Sequence, residues 1–416
     1  FQLASNSKAY TAYAVCKLAE EGKIDLDTPV SHYVDGFCMN YKANHSGKTE
    51  DEKTEITVRQ LLNHVSGIAQ SDFAKLEPQS TEDALETSMY SFVGKTLKHY
   101  PGNLFEYSNI NYDLLGLLIG KVSGVSYEEY MQQQVFKPLG LENTYVETDK
   151  QLVTGYKHGF SLSGVQLYDA PEYKENVPAG YVISDIRDME KWLSYQMNPD
   201  SLPKTEAKSM LETQNANRKN PTQEISAYYA AGWYVKETPD GTLVYHSGNN
   251  PNYSSFVIFN KELQVGVTII ANLNSSYVSY MGMQILSSYM DEIYQYPVKD
   301  TFQTLNGIMC MVIIISSILS VFAALLLAER IRRIIILKEK PVRPTGKQIK
   351  HIILVGIIVS ILFYAAYKMP CMIYPDADWD FAKVWLPGTV LTGCKLLLTA
   401  IGLFYIDYII SIWFKG

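Results

Sequence analysis

The chain has 416 residues, of which 47% are hydrophobic, 19% charged and 12% aromatic, and its formal net charge is -7. This composition excludes a disordered or fibrous chain and gives no basic surface for nucleic acid, and the length predicts two or three domains. The five cysteines form no Cys-x-x-Cys pair. We therefore expect no zinc knuckle and no disulfide framework. No feature of the sequence implies a metal or an organic cofactor.

Residues 1–298 carry dispersed charge, which is typical of a globular domain. Apolar residues at helical spacing predict helices at 5–21, 58–65, 112–121, 127–134 and 280–294, with a turn and a short helix at 25–34. The period changes after residue 228, and alternation predicts strands at 232–236, 243–246, 254–260 and 265–271. Central helices followed by antiparallel strands predict an α+β fold.

Three long apolar runs follow this domain. We assign a linker to 299–306, transmembrane helices to 307–328, 352–374 and 389–413, and connecting loops to 329–351 and 375–388. The first loop holds eight Lys and Arg residues, whereas the second is acidic. Because positively charged loops stay in the cytoplasm, the first loop is predicted inside, and both the second loop and the domain 1–298 outside. We expect a multi-pass membrane protein.

Lys395 and Asp407 interrupt the third apolar run, each close to one of its ends. Side chains in such positions can extend to the membrane interface, so we expect them to do this rather than to form a functional pair within the bilayer.

The pattern Ser-x-x-Lys is the candidate for chemistry, and it occurs as Ser5 with Lys8 and as Ser201 with Lys204. The second copy has a proline inside it and lies in a polar loop, so we interpret it as accidental. Ser5 opens an apolar helix, where residues three apart share a face, so Lys8 can reach the Ser5 hydroxyl. The helix N-terminus favours negative charge on that oxygen, and burial helps a lysine to lose its proton. His-Glu-x-x-His and Gly-x-Ser-x-Gly patterns do not occur.

Further motifs follow in chain order: Leu-Leu-Asn-His-Val-Ser-Gly at 61–67, Pro-Gly at 101–102 with Tyr-Ser-Asn at 107–109, Pro-Leu-Gly-Leu at 138–141 with Asn-Thr at 143–144, Gly-Trp at 232–233, and His-Ser-Gly at 246–248. With Ser-x-x-Lys, this series resembles the serine β-lactamase and penicillin-binding-protein superfamily, in particular its branch with class C β-lactamases, DD-peptidases and related esterases. The resemblance covers residue 1 to about residue 290. It implies a β-lactamase-like fold, an antiparallel sheet flanked by helices plus a helical subdomain, here followed by three transmembrane helices.

Carried over residue by residue, the resemblance implies that Ser5 is the acylated nucleophile and Lys8 its proton partner. It makes Tyr107 the general base and then the general acid. Asn109 would place the substrate amide, and the backbone N–H groups of Ser5 and Asn249 would form the oxyanion hole.

The resemblance also places His246 and Gly248 on the strand beside the cleft, where this branch has His-x-Gly instead of Lys-Thr-Gly. Gly248 would let the backbone approach the substrate, and His64 is expected to be structural. Relatives usually have glycine near Asn252, in a tight turn, and asparagine tolerates left-handed backbone better than most residues, so we expect the turn to be kept. Relatives have strands before the nucleophile helix, and only four residues precede Ser5. We therefore expect the sequence to be a fragment that lacks them.

Four functions share this machinery: a peptidase or amidase acting on cell-wall peptide or on an acylated peptide prodrug, a β-lactamase, an esterase, and a non-catalytic penicillin sensor or scaffold. Because all three catalytic residues are present, we favour a hydrolase and, among hydrolases, cleavage of a peptide amide. The order of hydrolase domain and three spans is similar to that of peptidases that mature colibactin-type prodrugs. The expected partners are a small-molecule or peptide substrate and the lipid bilayer, with no nucleic acid.

Overall fold

The computed structural model describes residues 1–45, 48–79, 81–146, 152–290 and 299–414. The chain forms two compact units. Unit 1 contains Phe1–Tyr156 and Leu167–Asp300, and unit 2 contains Lys157–Gln166 and Thr301–Gly416. Residues 157–166, which lie inside the predicted domain 1–298, group with the C-terminal helices. The predicted end of that domain at residue 298 lies outside the described residues.

The Ser-x-x-Lys segment begins in a 3₁₀ turn, Ala4–Asn6, that continues into helix α1 (Ser7–Glu20). Helix α1 is buried from its first residue to Leu18. Its small alanine side chains are all buried except Ala19, and burial on every face is typical of a central helix. The helix predicted at 5–21 is confirmed.

The other helices of unit 1 are α2 (Val58–Leu62), α3 (Ala84–Tyr90), α4 (Asn109–Ser123), α5 (Tyr127–Tyr130), α6 (Val177–Gly180), α7 (Ile186–Met197), α8 (Lys204–Thr213) and α9 (Tyr277–Ser287). A π-helical turn, Met131–Phe136, follows α5, and 3₁₀ turns lie at Val30–His32, Gln70–Lys75, Lys174–Asn176 and Pro199–Ser201. The helices predicted near α2, α4, α5 and α9 are present. Residues 291–294 of the last prediction lie outside the described residues.

Two hairpins and one larger sheet make up the strands. The hairpins are β1 (Met39–His45) with β2 (Lys48–Thr54), and β3 (Tyr156–His158) with β4 (Val165–Leu167). The larger sheet is antiparallel, in the order β5 (Ala227–Tyr229), β6 (Tyr234–Thr238), β7 (Gly241–Asn250), β8 (Tyr253–Asn260) and β9 (Val265–Ala271). Strand β8 is buried along its whole length. The four predicted strands correspond to β6–β9, so the predicted late antiparallel sheet is confirmed.

Unit 2 contains α10 (Thr301–Ile336), α11 (Gly346–Ile373), α12 (Trp379–Trp385) and α13 (Thr389–Trp413). Helices α10, α11 and α13 are long and apolar enough to cross a membrane. Part of the predicted loop 329–351 is helical, because Glu329 pairs with Arg332 and Arg333 at 2.6 and 3.0 Å and these pairs support the last turns of α10.

An ion pair joins α10 and α13. Arg330 donates to both carboxylate oxygens of Asp407, at 2.6 and 3.2 Å, and Asp407 is 8% exposed. The charge of Asp407 is therefore matched by a neighbouring helix. Lys395 is exposed and forms no ion pair within the described part of the chain.

We expect Asp407→Leu to destabilise unit 2 by about 2 kcal/mol, because it leaves the Arg330 cation unpaired on an apolar helix. The double variant Arg330→Leu with Asp407→Leu should recover most of this loss, since no charge is then left alone. Thermal unfolding of the full chain in detergent measures both, with Lys395→Leu as the control for removing an exposed charge. Equal melting temperatures for Asp407→Leu and the control would show that the pair contributes nothing.

Candidate active site

Ser5 and Lys8 face each other across the first turn of the Ser-x-x-Lys segment. Lys8 Nζ lies 3.2 Å from Ser5 Oγ, 2.8 Å from Asn109 Oδ1 and 2.8 Å from the carbonyl oxygen of Ala179. Lys8 is completely buried. This burial lowers the pKa of Lys8 to about 7, against an opposing influence of Asp113. A neutral Lys8 amine can donate to Asn109 and Ala179 while its lone pair accepts from the Ser5 hydroxyl.

The backbone just before Ser5 is strained. Ala4 has a φ of 49°, in the left-handed region that costs a non-glycine residue energy. The neighbouring Leu3 is held on both sides, since its N–H donates to Val182 O at 2.8 Å and its carbonyl accepts from Ser255 Oγ. These contacts hold Ser5 in place against β7 and β8.

Gly248 allows strand β7 to approach this strained segment. A Cβ atom at Gly248 would lie 2.3 Å from Leu3 O and 3.0 Å from the Ala4 side chain. The sequence suggested that this glycine makes room for substrate. The described contacts instead show that its missing side chain makes room for the residues before Ser5.

Tyr107 and Asn109 stand at the start of α4 and converge on Lys8. The ring of Tyr107 has Lys8 Nζ 5.0 Å from its centroid. The Asn109 side-chain oxygen accepts from Lys8, and this bond orients the amide so that its Nδ2 is the group left to donate to a ligand. Tyr107 and Ser5 line the same cavity. The structure therefore brings together all four residues, although they come from two distant segments.

His64 supports the segment that carries Tyr107. Its Nδ1 accepts from Ser108 N at 3.3 Å and lies 2.8 Å from Asn111 Nδ2, and its carbonyl accepts from Glu106 N at 2.8 Å. The ring centroids of His64 and Tyr107 are 4.4 Å apart. Burial, with the charge of Lys8 second, lowers the pKa of His64 well below its usual value, so it is neutral. The structural role expected for His64 agrees with these contacts.

His246 is a buried, neutral residue on β7. Its Nδ1 donates to Ser247 O at 2.7 Å, and its Nε2 accepts from Tyr229 Oη at 3.0 Å. Burial, followed by the charge of Lys8, lowers the pKa of His246 to about 3. His246 therefore contributes a polar wall without the positive charge that a lysine would bring to this strand.

A cavity of about 540 Å³ has Ser5 in its wall. Of the other predicted residues, Tyr107, His246 and Asn249 also line it. The sequence analysis missed the rest of the wall, which has an aromatic and thioether part and a polar part: Phe105, Tyr234, Tyr245, Phe256 and Met283, and Gln70, Glu106, Thr222, Gln223, Glu224, Ser247 and Ser279. No local signal distinguishes these tyrosines from the rest of the 31 in the chain. Within the described ranges, no cluster of three or more His, Cys, Asp or Glu side chains is placed to hold a metal ion.

Two further predictions concern residues that do not line this cavity. The turn expected at Asn252 is present between β7 and β8, and Asn252 forms it without a positive φ. Its Nδ2 donates to Tyr168 O at 3.2 Å. Ser201 donates to Asn198 O in its own 3₁₀ turn, which agrees with the accidental nature of the second Ser-x-x-Lys.

The sequence was compared with known families and proteins. Residues 1–288 match the sequence model of the Beta-lactamase family. Protein flp of Staphylococcus aureus (strain NCTC 8325 / PS 47) is 32% identical over 425 residues, which cover 97% of this chain and 78% of that protein. The chain belongs to the β-lactamase and penicillin-binding-protein superfamily.

Other members of the superfamily are more distant. Unguisins hydrolase ungD' of Aspergillus campestris (strain IBT 28561) is 22% identical over 311 residues, 70% of this chain and 56% of that protein. The octameric penicillin-binding protein homologue from Pyrococcus abyssi has a TM-score of 0.56 and 26% identity, covering 70% of this chain and 66% of that one. The predicted superfamily and its β-lactamase-like α+β fold are thus confirmed. The superfamily consists mostly of serine hydrolases.

Proposed function

We propose that this protein is a membrane-anchored serine hydrolase that cleaves a peptide amide bond through an acyl-enzyme on Ser5. The observation that carries the proposal is the fully buried Lys8, whose Nζ is 3.2 Å from Ser5 Oγ and whose pKa is about 7. A buried amine that is half deprotonated at neutral pH can accept the Ser5 proton as Oγ attacks the substrate carbonyl carbon. We therefore assign to Lys8 the role of base that the resemblance gives to Tyr107, and Tyr107 keeps the role of acid.

The remaining steps use the groups around Ser5. The negative charge on the attacked carbonyl oxygen is held by the backbone N–H groups of Ser5 and Asn249, while Asn109 Nδ2 donates to the substrate. As the carbon–nitrogen bond breaks, Tyr107 gives a proton to the leaving amine and recovers one from Lys8. Water then attacks the acyl-enzyme and releases a carboxylic acid and Ser5.

The lining of the cavity supports a peptide amide as substrate. Its aromatic wall suits apolar side chains or an acyl group, and its two acids are paired, Glu106 with Lys98 at 2.8 Å and Glu224 with Lys236 at 2.9 Å. Among the described residues that line the cavity, none is lysine or arginine. A substrate with a free carboxylate beside the scissile bond therefore finds no matching cation, which disfavours β-lactams relative to neutral peptide segments. Cell-wall peptide and acylated peptide prodrugs remain the two proposed sources.

The C-terminal helices support membrane anchoring. Helices α10, α11 and α13 are long and apolar enough to span a bilayer. The excess of Lys and Arg in residues 329–351 supports a cytoplasmic position for that segment and an outside position for the hydrolase unit. We propose a bacterial plasma membrane as the location, with the lipid bilayer and a peptide substrate as the partners.

Acylation of Ser5 tests the proposed function. The full chain in detergent is treated with a fluorophosphonate and, separately, with a penicillin, beside Ser5→Ala, and its intact mass is measured. We expect one fluorophosphonate adduct that is absent from Ser5→Ala, and a penicillin adduct that persists, as it would in a peptidase. Rapid loss of the penicillin adduct would favour the β-lactamase alternative. Absence of both adducts on folded protein would overturn the hydrolase.

The pH dependence of acylation should report Lys8. The reactive form is the neutral amine, so the fluorophosphonate reaction rate should rise with pH through the Lys8 pKa of about 7 and then level off. His246, whose pKa is about 3, is already neutral and should add no further inflection around neutrality. Rates measured from about pH 5 to pH 9 check this. A rate that falls as the pH rises through 7 would contradict Lys8 as the base.

A further inference from the structure

The hairpin of residues 157–166 ends in an exposed apolar tip, defined here as residues 160–163. Phe160 is 58% exposed and Leu162 is fully exposed, and serines flank Leu162 on both sides. Single exposed apolar side chains are common on protein surfaces. In this hairpin, the position of the base, Gly159 and Gly164, indicates the environment of the Phe160 and Leu162 side chains.

The base of the hairpin is fixed to the first turns of two apolar helices. Buried Asn306 donates through Nδ2 to Gly159 O at 3.2 Å and to Gly164 O at 3.3 Å, and it accepts from Thr389 Oγ1 at 2.8 Å. Asn306 directly precedes the uncharged run of α10, and Thr389 is the first residue of α13. The hairpin base therefore lies where the apolar surfaces of both helices begin.

A second attachment joins the hairpin to α12. Lys157 Nζ donates to the carbonyl oxygens of Lys383 and Val384, the latter at 3.0 Å, in the last turn of that helix. A cation at this end complements the helix dipole. Helix α12 is rich in aromatic residues, which are enriched at membrane interfaces, namely Trp379, Phe381 and Trp385. The hairpin is thus held beside an element of interfacial composition.

We propose that the hairpin tip inserts into the bilayer beside the helix ends, at the boundary between headgroups and acyl chains. This inference rests on the membrane anchoring proposed above. The tip is a tight turn, in which Ser161 N donates to Gly159 O and Gly164 N donates to Ser161 O, both at 3.1 Å, so Phe160 and Leu162 lie within three residues of the base. Insertion beside the helix ends would take Phe160 and Leu162 out of water and leave the serine hydroxyls among polar headgroups.

Photochemical labelling from the lipid tests the proposal on the unaltered chain. The protein is placed in phosphatidylcholine nanodiscs with a phosphatidylcholine that carries a diazirine near the carboxyl end of one acyl chain, illuminated, and digested with trypsin. The tip lies in the tryptic peptide 158–174. The matched control is peptide 220–236, which has the same length and holds Ile225, 86% exposed. We expect at least about tenfold more lipid adduct on the tip peptide.

Substitution of the tip gives the second readout. Phe160→Ser with Leu162→Ser should lower the adduct on peptide 158–174 by about tenfold, while fluorophosphonate labelling of Ser5 stays at the wild-type rate and shows that the protein is folded. Adducts on peptides of α10 and α13 report membrane insertion independently. Labelled helices with a tip peptide no more labelled than the control would overturn the insertion of the tip alone. Unlabelled helices would overturn the anchoring as well.

Discussion

Lys8→Arg should slow acylation of Ser5 by at least about a thousandfold. A guanidinium keeps its proton at every accessible pH, so it cannot accept the Ser5 proton, although it keeps the positive charge. The wild-type amine does accept it because burial lowers its pKa to about 7. The effect is measured as the rate of fluorophosphonate adduct formation, which is monitored by intact-protein mass spectrometry.

The matched control is Lys17→Arg on the same helix. Lys17 is also buried, but its Nζ pairs with Glu206 at 3.2 Å, and an arginine can keep that ion pair. We expect this variant to react within about twofold of the wild type. Lys8→Met, which has no charge and less bulk than arginine, separates chemistry from steric effects. A Lys8→Arg protein that is acylated at the wild-type rate would show that Lys8 is not the base.

Gly67→Ala should destabilise unit 1 by about 3–4 kcal/mol. Gly67 closes the Leu-Leu-Asn-His-Val-Ser-Gly segment with a φ of 84°, and a Cβ there would lie 2.0 Å from the carbonyl oxygen of His99. Backbone atoms cannot move aside as a flexible side chain can. His99 is moreover tied to Gly67 by its own N–H, which donates to Gly67 O at 3.3 Å. The effect is measured by heating the full chain and recording the temperature at which fluorophosphonate labelling is lost.

Gly94→Ala is the control for this prediction. Gly94 has a similar φ of 75°, but nothing lies within 4 Å of the position of its Cβ. Alanine there should cost only the strain of a left-handed backbone, about 1 kcal/mol. The difference between the two variants isolates the clash with His99. Equal losses of stability would mean that the backbone at His99 moves aside. The Leu-Leu-Asn-His-Val-Ser-Gly segment would then not need Gly67 for packing.

Features confined to one element were predictable from the sequence. Ser5 and Lys8 share a face because they are three residues apart at a helix start, and their atoms are 3.2 Å apart in the structure. Strand β9 was predicted with its observed bounds because its branched residues favour extended backbone.

The hairpin of β1 and β2 was missed, since β2 is almost entirely charged or polar and has no apolar alternation. Helix α8 was missed for the same reason.

Contacts between distant segments were not predictable in this way. The acceptors of Lys8 on Asn109 and Ala179 are 101 and 171 positions away, and one of them is a backbone carbonyl that no residue type identifies. Asp407 and Arg330 are 77 positions apart and had been assigned to different environments. The aromatic wall of the cavity comes from loops, strands and a helix whose residues carry no motif.

The sequence by itself determined the superfamily, the Ser-x-x-Lys pair and the three apolar helices, because spacing along one helix and length of an apolar run are local properties. Only the tertiary structure decided that Lys8 is fully buried, that Gly248 makes room for the residues before Ser5, and that residues 157–166 belong with the C-terminal helices. The physical reason is the same for all three. Burial, steric contact and hydrogen bonding between remote segments depend on which surfaces pack together, and the periodicity of one segment contains no information about its partner.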